Sequence, residues 1–213
     1  STVVISNSSS EGPTDDYRIK PDITGNGVTV ISSWGTADDD YMGSSGTSMS
    51  SPSIAGSLLL LQQFHNEETG GYMRSATLKG LALHTATDAG MLGPDAIFGW
   101  GILNTKKAVE TIQNNGNTTF IEEHTYNDGD VIEYQFISDG VNPLQISISF
   151  TDPPGTSNTG VANDTTPVLV HNLSLRVLQD GTYYHPWKLT GVDTNTQDTN
   201  NVDPFKRFDI DNA

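Results

Sequence analysis

Residues 44–65 read SSGTSMSSPSIAGSLLLLQQFH. A cluster of serine and threonine residues begins this segment, and an apolar stretch follows it directly. Within this segment Ile54, Leu58 and Leu61 recur at the spacing of one helix face, and this pattern predicts a helix that packs against a core. Ser48 stands at the mouth of the predicted helix, where its hydroxyl is expected to cap free backbone N–H groups. One capping hydroxyl is enough to start a helix, so the others require a different explanation.

The residues next to Ser48 suit a reaction with a peptide backbone. Apart from Met49 they are small, which leaves room for a ligand. A helix N-terminus has free N–H groups and the positive end of the helix dipole, so it stabilises an oxyanion that forms beside it. Ser48 is therefore a candidate nucleophile for acyl transfer. A serine-rich helix cap is the alternative, but it does not explain the neighbours at fixed offsets, which are Gly46, Thr47, Pro52 and Gly56.

Three of these neighbours carry specific structural expectations. Gly46 is expected to let the backbone turn sharply before the helix. Pro52 is expected in the first turn, where a missing N–H does no harm. Gly56, together with Ala55, is expected to let the helix pack tightly against another element.

The charge balance excludes several classes of partner. The 213 residues include 10 Lys and Arg against 26 Asp and Glu, which gives a formal net charge of -16. A field of this sign repels nucleic acid and anionic membrane surfaces. Because the chain has no cysteine, disulfides, iron–sulfur ligation and thiol catalysis are excluded. No stretch reaches the roughly 20 apolar residues that a membrane-spanning helix needs.

The chain divides into two regions that differ in residue pattern. Residues 1–113 mix strand-like runs with helical ones, and Asn104 is a good N-cap for a short helix over residues 105–113. Residues 114–119 are predicted to form a turn-rich linker. Residues 120–213 contain β-branched and aromatic runs separated by Asn, Asp, Gly and Pro, which predicts a β-sandwich.

Individual strands are predicted within these runs. In QISISF, residues 145–150, polar and apolar positions alternate, which indicates a strand with one buried face. The polar segment GVDTNTQDTNNVDP, residues 191–204, is predicted to be a loop. Further strands are predicted at residues 2–6, 27–34, 131–138, 168–178 and 182–189.

Three motifs, in order, resemble those of the subtilisin-like serine peptidases, the subtilases. GTSMSSPSIAG (46–56) resembles their nucleophile motif, and SSEGPTDDYRIKPDI (9–23) resembles the segment that precedes it. FGWGILNTKKAV (98–109) resembles the segment that closes their catalytic domain. The resemblance implies that Ser48 is the nucleophile and that its backbone N–H donates to the oxyanion. It also implies a histidine that acts as the base and an aspartate that orients the histidine.

The chain departs from the family pattern at two places. Ser45 stands where many subtilases have Asn before Gly-Thr-Ser, and Gly25, Asn26 and Gly27 stand where many have Ala-Pro-Gly. Neither departure affects a catalytic role, because the glycine that shapes the turn remains.

The rest of the triad is missing from these residues. In subtilisins the aspartate and the histidine precede the serine in sequence, but the first 47 residues contain no histidine and lack the family's oxyanion asparagine. His65 is expected about 25 Å from Ser48 along the helix, at about 1.5 Å per residue, and His84 is expected in a packed helix. The other histidines lie in the β-rich region: His124, His171 and His185. None is expected to act as the base.

The region after the linker resembles the jelly-roll-like β-sandwich that follows the catalytic domain in some bacterial subtilases. The similar pieces are LQISISFTDPPG, HNLSLRVLQDGTYYHPW and FKRFDIDNA. Relatives often carry structural calcium, and Asp193, Asp198 and Asp203 are carboxylates able to bind it. Their spacing does not fit an EF-hand, so a solvated loop is the favoured interpretation. No cofactor is required for the chemistry.

The sequence as a whole predicts the C-terminal part of an α/β, parallel-sheet subtilisin-like domain, followed by an all-β sandwich, both of them truncated. The resemblance implies a secreted endopeptidase that acts on protein or peptide substrates. The chain alone is expected to be inactive, because the N-terminal part of the catalytic domain is missing. Two alternatives stay open: a non-catalytic binding or stabilising β-sandwich module, and a pseudo-peptidase.

Overall fold

The computed structural model describes residues 3–157 and 160–211. Within these ranges the chain forms a hairpin and three helices, followed by short strands. In chain order the elements are β1 (Val30–Ser33), β2 (Tyr41–Ser44), α1 (Thr47–Thr69), α2 (Ser75–His84), α3 (Thr105–Gln113), β3 (Leu144–Ser149), β4 (Val177–Gln179), β5 (Thr182–Tyr184), β6 (Trp187–Gly191), β7 (Thr194–Gln197) and β8 (Phe205–Ile210).

The three helices pack together through one face each. The apolar face predicted for the first helix is confirmed at Leu61, which is fully buried and packs in a cluster with Leu81 of α2 and Ile112 of α3. The predicted helix over residues 105–113 is confirmed together with its cap, because the Asn104 side chain accepts a hydrogen bond from the Lys107 N–H at 2.9 Å. Capping of this kind satisfies one of the donors left free at a helix start.

The opposite face of α1 is bare. Leu59 and Leu60 are 71% and 61% exposed, and Ala55 and Gly56 are exposed beside them. Within the described residues nothing lies within 4 Å of a Cβ built on Gly56. The tight packing expected at Gly56 is therefore not found among the described residues.

All strand pairs in the described ranges are two-stranded and antiparallel: β1 with β2, β3 with β8, β4 with β5 and β6 with β7. Parallel pairing there is limited to isolated bridges, Thr24 with Ile102 and Asn115 with Thr119. The expected parallel sheet and jelly-roll sandwich are thus not confirmed. The connection between β1 and β2 is short, so it closes a hairpin and is too short for a parallel crossover.

The predicted strand QISISF is confirmed as β3, but both of its faces are covered. Leu144 and Ile146 pack on Phe208 of β8. On the other face Ser147 contacts α2, and a Cβ built on Gly80 of α2 would lie 2.7 Å from the Ser149 Cβ. The small polar residues of the alternating pattern therefore face a helix, whereas the sequence predicted that they face solvent.

Other strand predictions succeed only in part. Residues 131–138 and 3–6 form no strand, and residue 2 lies outside the described range. The run at 168–178 pairs only near its end, in β4, and the run at 182–189 is split at Pro186, which has no N–H to donate. The loop predicted at 191–204 is wrong at 194–197, which form β7 and pair with β6, whereas residues 198–204 lie in no helix or strand.

The helical and β-rich regions share one apolar cluster. Ile19, Leu83 and Trp100 from the first region pack with Leu189 and Phe205 from the second. The rings of Trp100 and Phe205 meet edge to face, with centroids 5.0 Å apart. The division into domains 1–113 and 120–213 stays a prediction, but the two regions are not separate bodies with separate cores.

Arg207 of β8 completes this contact between the regions. Its guanidinium donates to the carbonyl oxygens of Leu83 and His84, at 3.2 and 3.3 Å, where α2 ends. It lies 4.9 Å from the ring centroid of Trp100 and pairs with Asp209 at 3.2 Å. One buried cation thus satisfies carbonyl groups at the end of α2 and holds β8 against the helix.

His84, the last residue of α2, lies in the same contact and is confirmed as part of a packed helix. Its Nδ1 is 2.9 Å from the Ser147 hydroxyl. Burial lowers the pKa of His84 to about 4, and the positive charges of Arg207 and Lys107 act in the same direction. The folded protein therefore favours the neutral ring. In the parts of the chain that the structure describes, no helix is long and apolar enough to cross a membrane.

The two glycines of α1 and α2 provide a matched test of this packing. Gly80→Ala places a methyl group against Ser149, and we expect a loss of about 1–3 kcal/mol from overpacking. Gly56→Ala adds a methyl group where nothing lies within 4 Å, and we expect a gain of about 1 kcal/mol from helix propensity. Urea denaturation of both variants measures the two changes, and shifts of the same sign would contradict the described packing.

The half-buried histidine at the end of α2 makes the free energy of unfolding depend on pH. Since the pKa of His84 falls from 6.5 to about 4 on folding, its contribution is present above pH 6.5 and is lost as the pH falls toward 4. We expect His84→Gln to lose less stability than the unsubstituted chain between pH 7 and pH 4.5 in urea denaturation. A pH dependence of stability in His84→Gln equal to that of the unsubstituted chain would contradict this role of His84.

Candidate active site

The candidate site lies where the β1–β2 hairpin leads into α1. Gly46 precedes the helix with φ 154°, and no side chain caps the helix start. Ser48 is the second helical residue and is exposed. The capping role expected for its hydroxyl is wrong, because the carbonyl oxygen of Gly46 already accepts the Met49 and Ser50 N–H groups, at 3.0 and 3.3 Å. The helix therefore begins one residue before Ser48.

Two backbone N–H groups remain free at this helix start. Within the described residues, the amides of Thr47 and Ser48 have no acceptor, and the Ser48 hydroxyl has no hydrogen-bond partner. Free N–H groups at the positive end of a helix are suited to an anionic oxygen. The site thus offers an exposed hydroxyl beside an amide donor of the same residue.

Pro52 lies in the second turn of α1, not in the first turn as expected. Because it has no N–H, it cannot form the usual helical bond to the carbonyl oxygen four residues earlier, which belongs to Ser48. A proline inside a helix is unfavourable by about 3 kcal/mol relative to alanine. The turn that carries Ser48 is therefore held by fewer helical bonds than its neighbours.

The segment Gly25–Gly27 packs directly on the start of α1. The Ser50 hydroxyl donates to the Gly25 carbonyl oxygen at 2.9 Å, and the Gly46 N–H donates to the Gly27 carbonyl oxygen at 2.8 Å. A Cβ at Gly25 would come within 2.8 Å of Ile54, and one at Gly27 within 2.7 Å of the Gly46 oxygen. Gly27 requires glycine because its backbone approaches the Gly46 backbone so closely, whereas a Cβ at Gly25 would force the Ile54 and Ser50 side chains to shift.

Ser45 also ties the hairpin together. Its hydroxyl oxygen accepts the Thr29 N–H at 2.8 Å. Thr29 has φ 51°, a left-handed conformation that is unfavourable for a β-branched residue. This bond holds the strained residue directly before β1.

Beside Ser48 lies a cavity of about 310 Å³ between β1 and the start of α1. Sequence reasoning identified the helix side of this cavity but missed the strand side. The run GVTVISSW predicted a strand, but nothing in it shows which element the strand lies beside. No titratable side chain lines the cavity, whose residues are Val30, Ile31, Ser32, Ser48, Met49, Pro52 and Ser53.

The structure places none of the five histidines at this cavity. The His65 Nδ1 lies 2.9 Å from the Gly71 oxygen, beyond the far end of α1, and His84 lies at the contact between α2 and β3. The remaining three lie in the β-rich region: His124 contacts Tyr134, His171 contacts Asp152, and His185 lines a separate cavity of about 130 Å³. A base for Ser48 is not assembled within the described residues.

The carboxylates considered for calcium lie in different settings. Asp193 is exposed in the turn between β6 and β7, and Asp198 lies 3.8 Å from the Lys188 amine. Asp203 is buried, and its two oxygens accept the Ile19 N–H at 3.0 Å and the Asn200 amide at 2.8 Å. The prediction of a solvated loop is thus wrong for Asp203, which is buried in a hydrogen-bond network. The described residues contain no group of three or more potential metal ligands, and the calcium expectation stays a prediction.

Comparisons with known proteins identify the segment that carries the site. Residues 2–101 match the model of the "Subtilase family". The chain is 40% identical over 80 residues to "Serotype-specific antigen 1" of Mannheimia haemolytica, covering 38% of this chain and 8% of that protein.

Two further relatives are named as proteases. A "PII-type proteinase" of Lactococcus lactis subsp. cremoris is 32% identical over 135 residues, covering 55% of this chain and 7% of that protein. An "Extracellular serine protease" of Serratia marcescens is 35% identical over 108 residues, covering 48% of this chain and 9% of that protein. The matches thus span 7% to 9% of the length of these relatives. Residues 2–101, with Ser48 at the exposed start of α1, belong to the subtilase family.

Proposed function

We propose that Ser48 is the nucleophile of a serine endopeptidase of the subtilase type. The observation that carries this proposal is the exposed Ser48 hydroxyl next to its own free backbone N–H at the start of α1. The adjoining cavity gives a peptide backbone access to both groups. The family match of residues 2–101 supports the same reaction.

In the proposed reaction the Ser48 Oγ attacks a peptide carbonyl carbon while a base takes the hydroxyl proton. The Ser48 N–H donates to the oxyanion of the tetrahedral intermediate, which collapses to an acyl-enzyme ester and releases the amine after it receives that proton. Water then hydrolyses the ester. We propose that the histidine, the aspartate and the second oxyanion donor come from polypeptide outside these 213 residues, so that the chain alone is inactive.

The finer features of the whole protein are part of the same proposal. We propose a parallel-sheet catalytic domain to which residues 1–113 contribute the C-terminal part, with a jelly-roll-like sandwich after it. Protein or peptide substrates and a secreted location agree with the printed names of the proteinase and extracellular relatives. No cofactor takes part in this chemistry, and a structural calcium ion is an additional prediction.

A second role, in stabilisation, is favoured for the β-rich region. Phe205 and Leu189 lie in the same apolar cluster as Trp100, and Arg207 binds the carbonyl groups at the end of α2. We propose that residues 120–213 support the fold of the segment that carries Ser48. This role is compatible with the peptidase proposal, since one region supplies the nucleophile and the other supplies core packing.

A fluorophosphonate probe, which reacts with activated serine hydroxyls, tests the peptidase proposal. We expect no labelling of the 213-residue chain alone, because no base is placed near Ser48. When an N-terminal subtilase catalytic segment bearing the aspartate and the histidine is co-expressed, we expect labelling at Ser48, located by peptide mass spectrometry. Peptide hydrolysis should fall on the order of 10⁶-fold in Ser48→Ala.

Ser53→Ala is the matched control for that experiment. Ser53 lines the same cavity, but its hydroxyl donates to the Met49 carbonyl oxygen at 3.0 Å. Labelling should therefore persist in this variant. Labelling of the isolated chain would contradict its inactivity, and labelling of the complemented protein at any other serine would overturn the assignment of Ser48.

A further inference from the structure

We propose that the buried Asp203 carboxyl is a pH-sensitive latch that holds the segment of residues 12–27 against the β-rich region. Asp203 stands just before β8, and its Oδ1 accepts the Ile19 N–H at 3.0 Å across 184 residues of sequence. Its Oδ2 accepts the Asn200 amide at 2.8 Å. Both contacts are buried, so the carboxyl joins two distant parts of the chain out of contact with water.

The carboxyl has unusual surroundings for a buried acid. Its hydrogen-bond donors are neutral amides, and among the described residues it forms no ion pair. Asp16, a second buried acid in the 12–27 segment, differs because Arg18 pairs with it at 2.9 Å. A buried carboxylate without a paired cation costs free energy in its charged form and therefore binds a proton more readily.

The charged groups around Asp203 do not offset its burial. Lys20 and Asp22 act on it from the 12–27 segment with opposite signs, and these two residues pair with each other. The Asp203 charge also acts on Lys206 of β8, where it opposes the lowering of the Lys206 pKa by burial. The Lys206 amine, however, donates to the Asn172 and Leu173 oxygens and not to Asp203. Burial is the largest influence and raises the pKa of the Asp203 carboxyl to about 6.

The raised pKa of Asp203 makes the latch weaker as the pH rises. Because the pKa rises from 3.8 to about 6 on folding, the latch contributes its full stability below pH 3.8 and loses it as the pH rises through about 6. Linkage with these two pKa values makes opening of the latch about 10-fold more populated at pH 7.5 than at pH 5. The latch is therefore tighter in mildly acidic solution.

The segment that the latch holds leads to the candidate nucleophile. Ile19, at the latch, is buried in the shared apolar cluster. Farther along the segment, the carbonyl oxygens of Gly25 and Gly27 accept the Ser50 hydroxyl and the Gly46 N–H at the start of α1. Between Ile19 and Gly25 the segment is also bonded to Trp100 and Gly101, through the Asp22 oxygen and the Thr24 N–H, so we expect the pH response at the start of the Ser48 helix to be weaker than at Ile19. The effect of the latch on catalysis rests on the proposed function of Ser48. The existence of the latch does not depend on that function.

NMR titration of the full 213-residue chain tests the latch without any activity measurement. We expect the Asp203 carboxyl carbon and the Ile19 amide to titrate together with a midpoint near pH 6. Asp203→Asn should abolish the Ile19 response, and Asp16→Asn should leave it unchanged. A midpoint near 4 for the Asp203 carbon in the unsubstituted chain would overturn the proposal even if the Asp203→Asn variant failed to fold.

Hydrogen exchange provides the second measurement. After correction for intrinsic exchange, protection of the Ile19 amide should fall about 10-fold from pH 5 to pH 7.5, and less in Asp203→Asn. The Gly46 and Met49 amides, which donate to the Gly27 and Gly46 carbonyl oxygens, should show a smaller response with the same midpoint. If Ile19 responds and these two amides do not, the link to the site is wrong. The assignment of Ser48 as the nucleophile would then still be tested separately by fluorophosphonate labelling.

Discussion

The ring of Trp100 is the point on which the rest of this structure depends. Phe205 meets it edge to face at 5.0 Å, and the guanidinium of Arg207 lies 4.9 Å from its centroid. The same guanidinium binds the last carbonyl groups of α2. Apolar burial, a cation–π contact and helix capping thus meet at Trp100 and two residues about a hundred positions later, Phe205 and Arg207. Removing either partner would expose the apolar cluster that the helical and β-rich regions share.

The candidate site is connected to that ring by backbone hydrogen bonds. The Trp100 N–H donates to the Asp22 oxygen at 3.1 Å, and the Thr24 N–H donates to the Gly101 oxygen at 2.9 Å. The next residues, Gly25 to Gly27, bind the start of α1. The core therefore holds the strand-like segment, and the segment positions the helix start that carries Ser48. The peptide hydrolysis proposed for Ser48 would need this path, because a nucleophile must be held within a fraction of an ångström of its productive position.

The chain contains two of the groups that the proposed acyl transfer requires, but it places no base beside them. The hydroxyl and the amide donor are in place, but no titratable group lines the cavity beside them. The bare face of α1, with Leu59 and Leu60 exposed, lies on the same helix. A helix that is apolar on most sides is stable when it is buried. The candidate nucleophile without a titratable neighbour and the uncovered apolar face thus lie on one helix, which is consistent with the proposed completion of the site by further polypeptide.

The sequence by itself determined the features that depend on residues close along the chain. These include the helix capped by Asn104, the strand in QISISF and the subtilase-like motif around Ser48, because capping, periodicity and motif spacing act over a few residues. Tertiary structure decided the rest. It buried Asp203 in a segment predicted as a solvated loop, turned Ser147 and Ser149 toward a helix, and moved the helix start ahead of Ser48. Each of these outcomes depends on which distant backbone or side chain approaches, and local sequence carries no record of that partner.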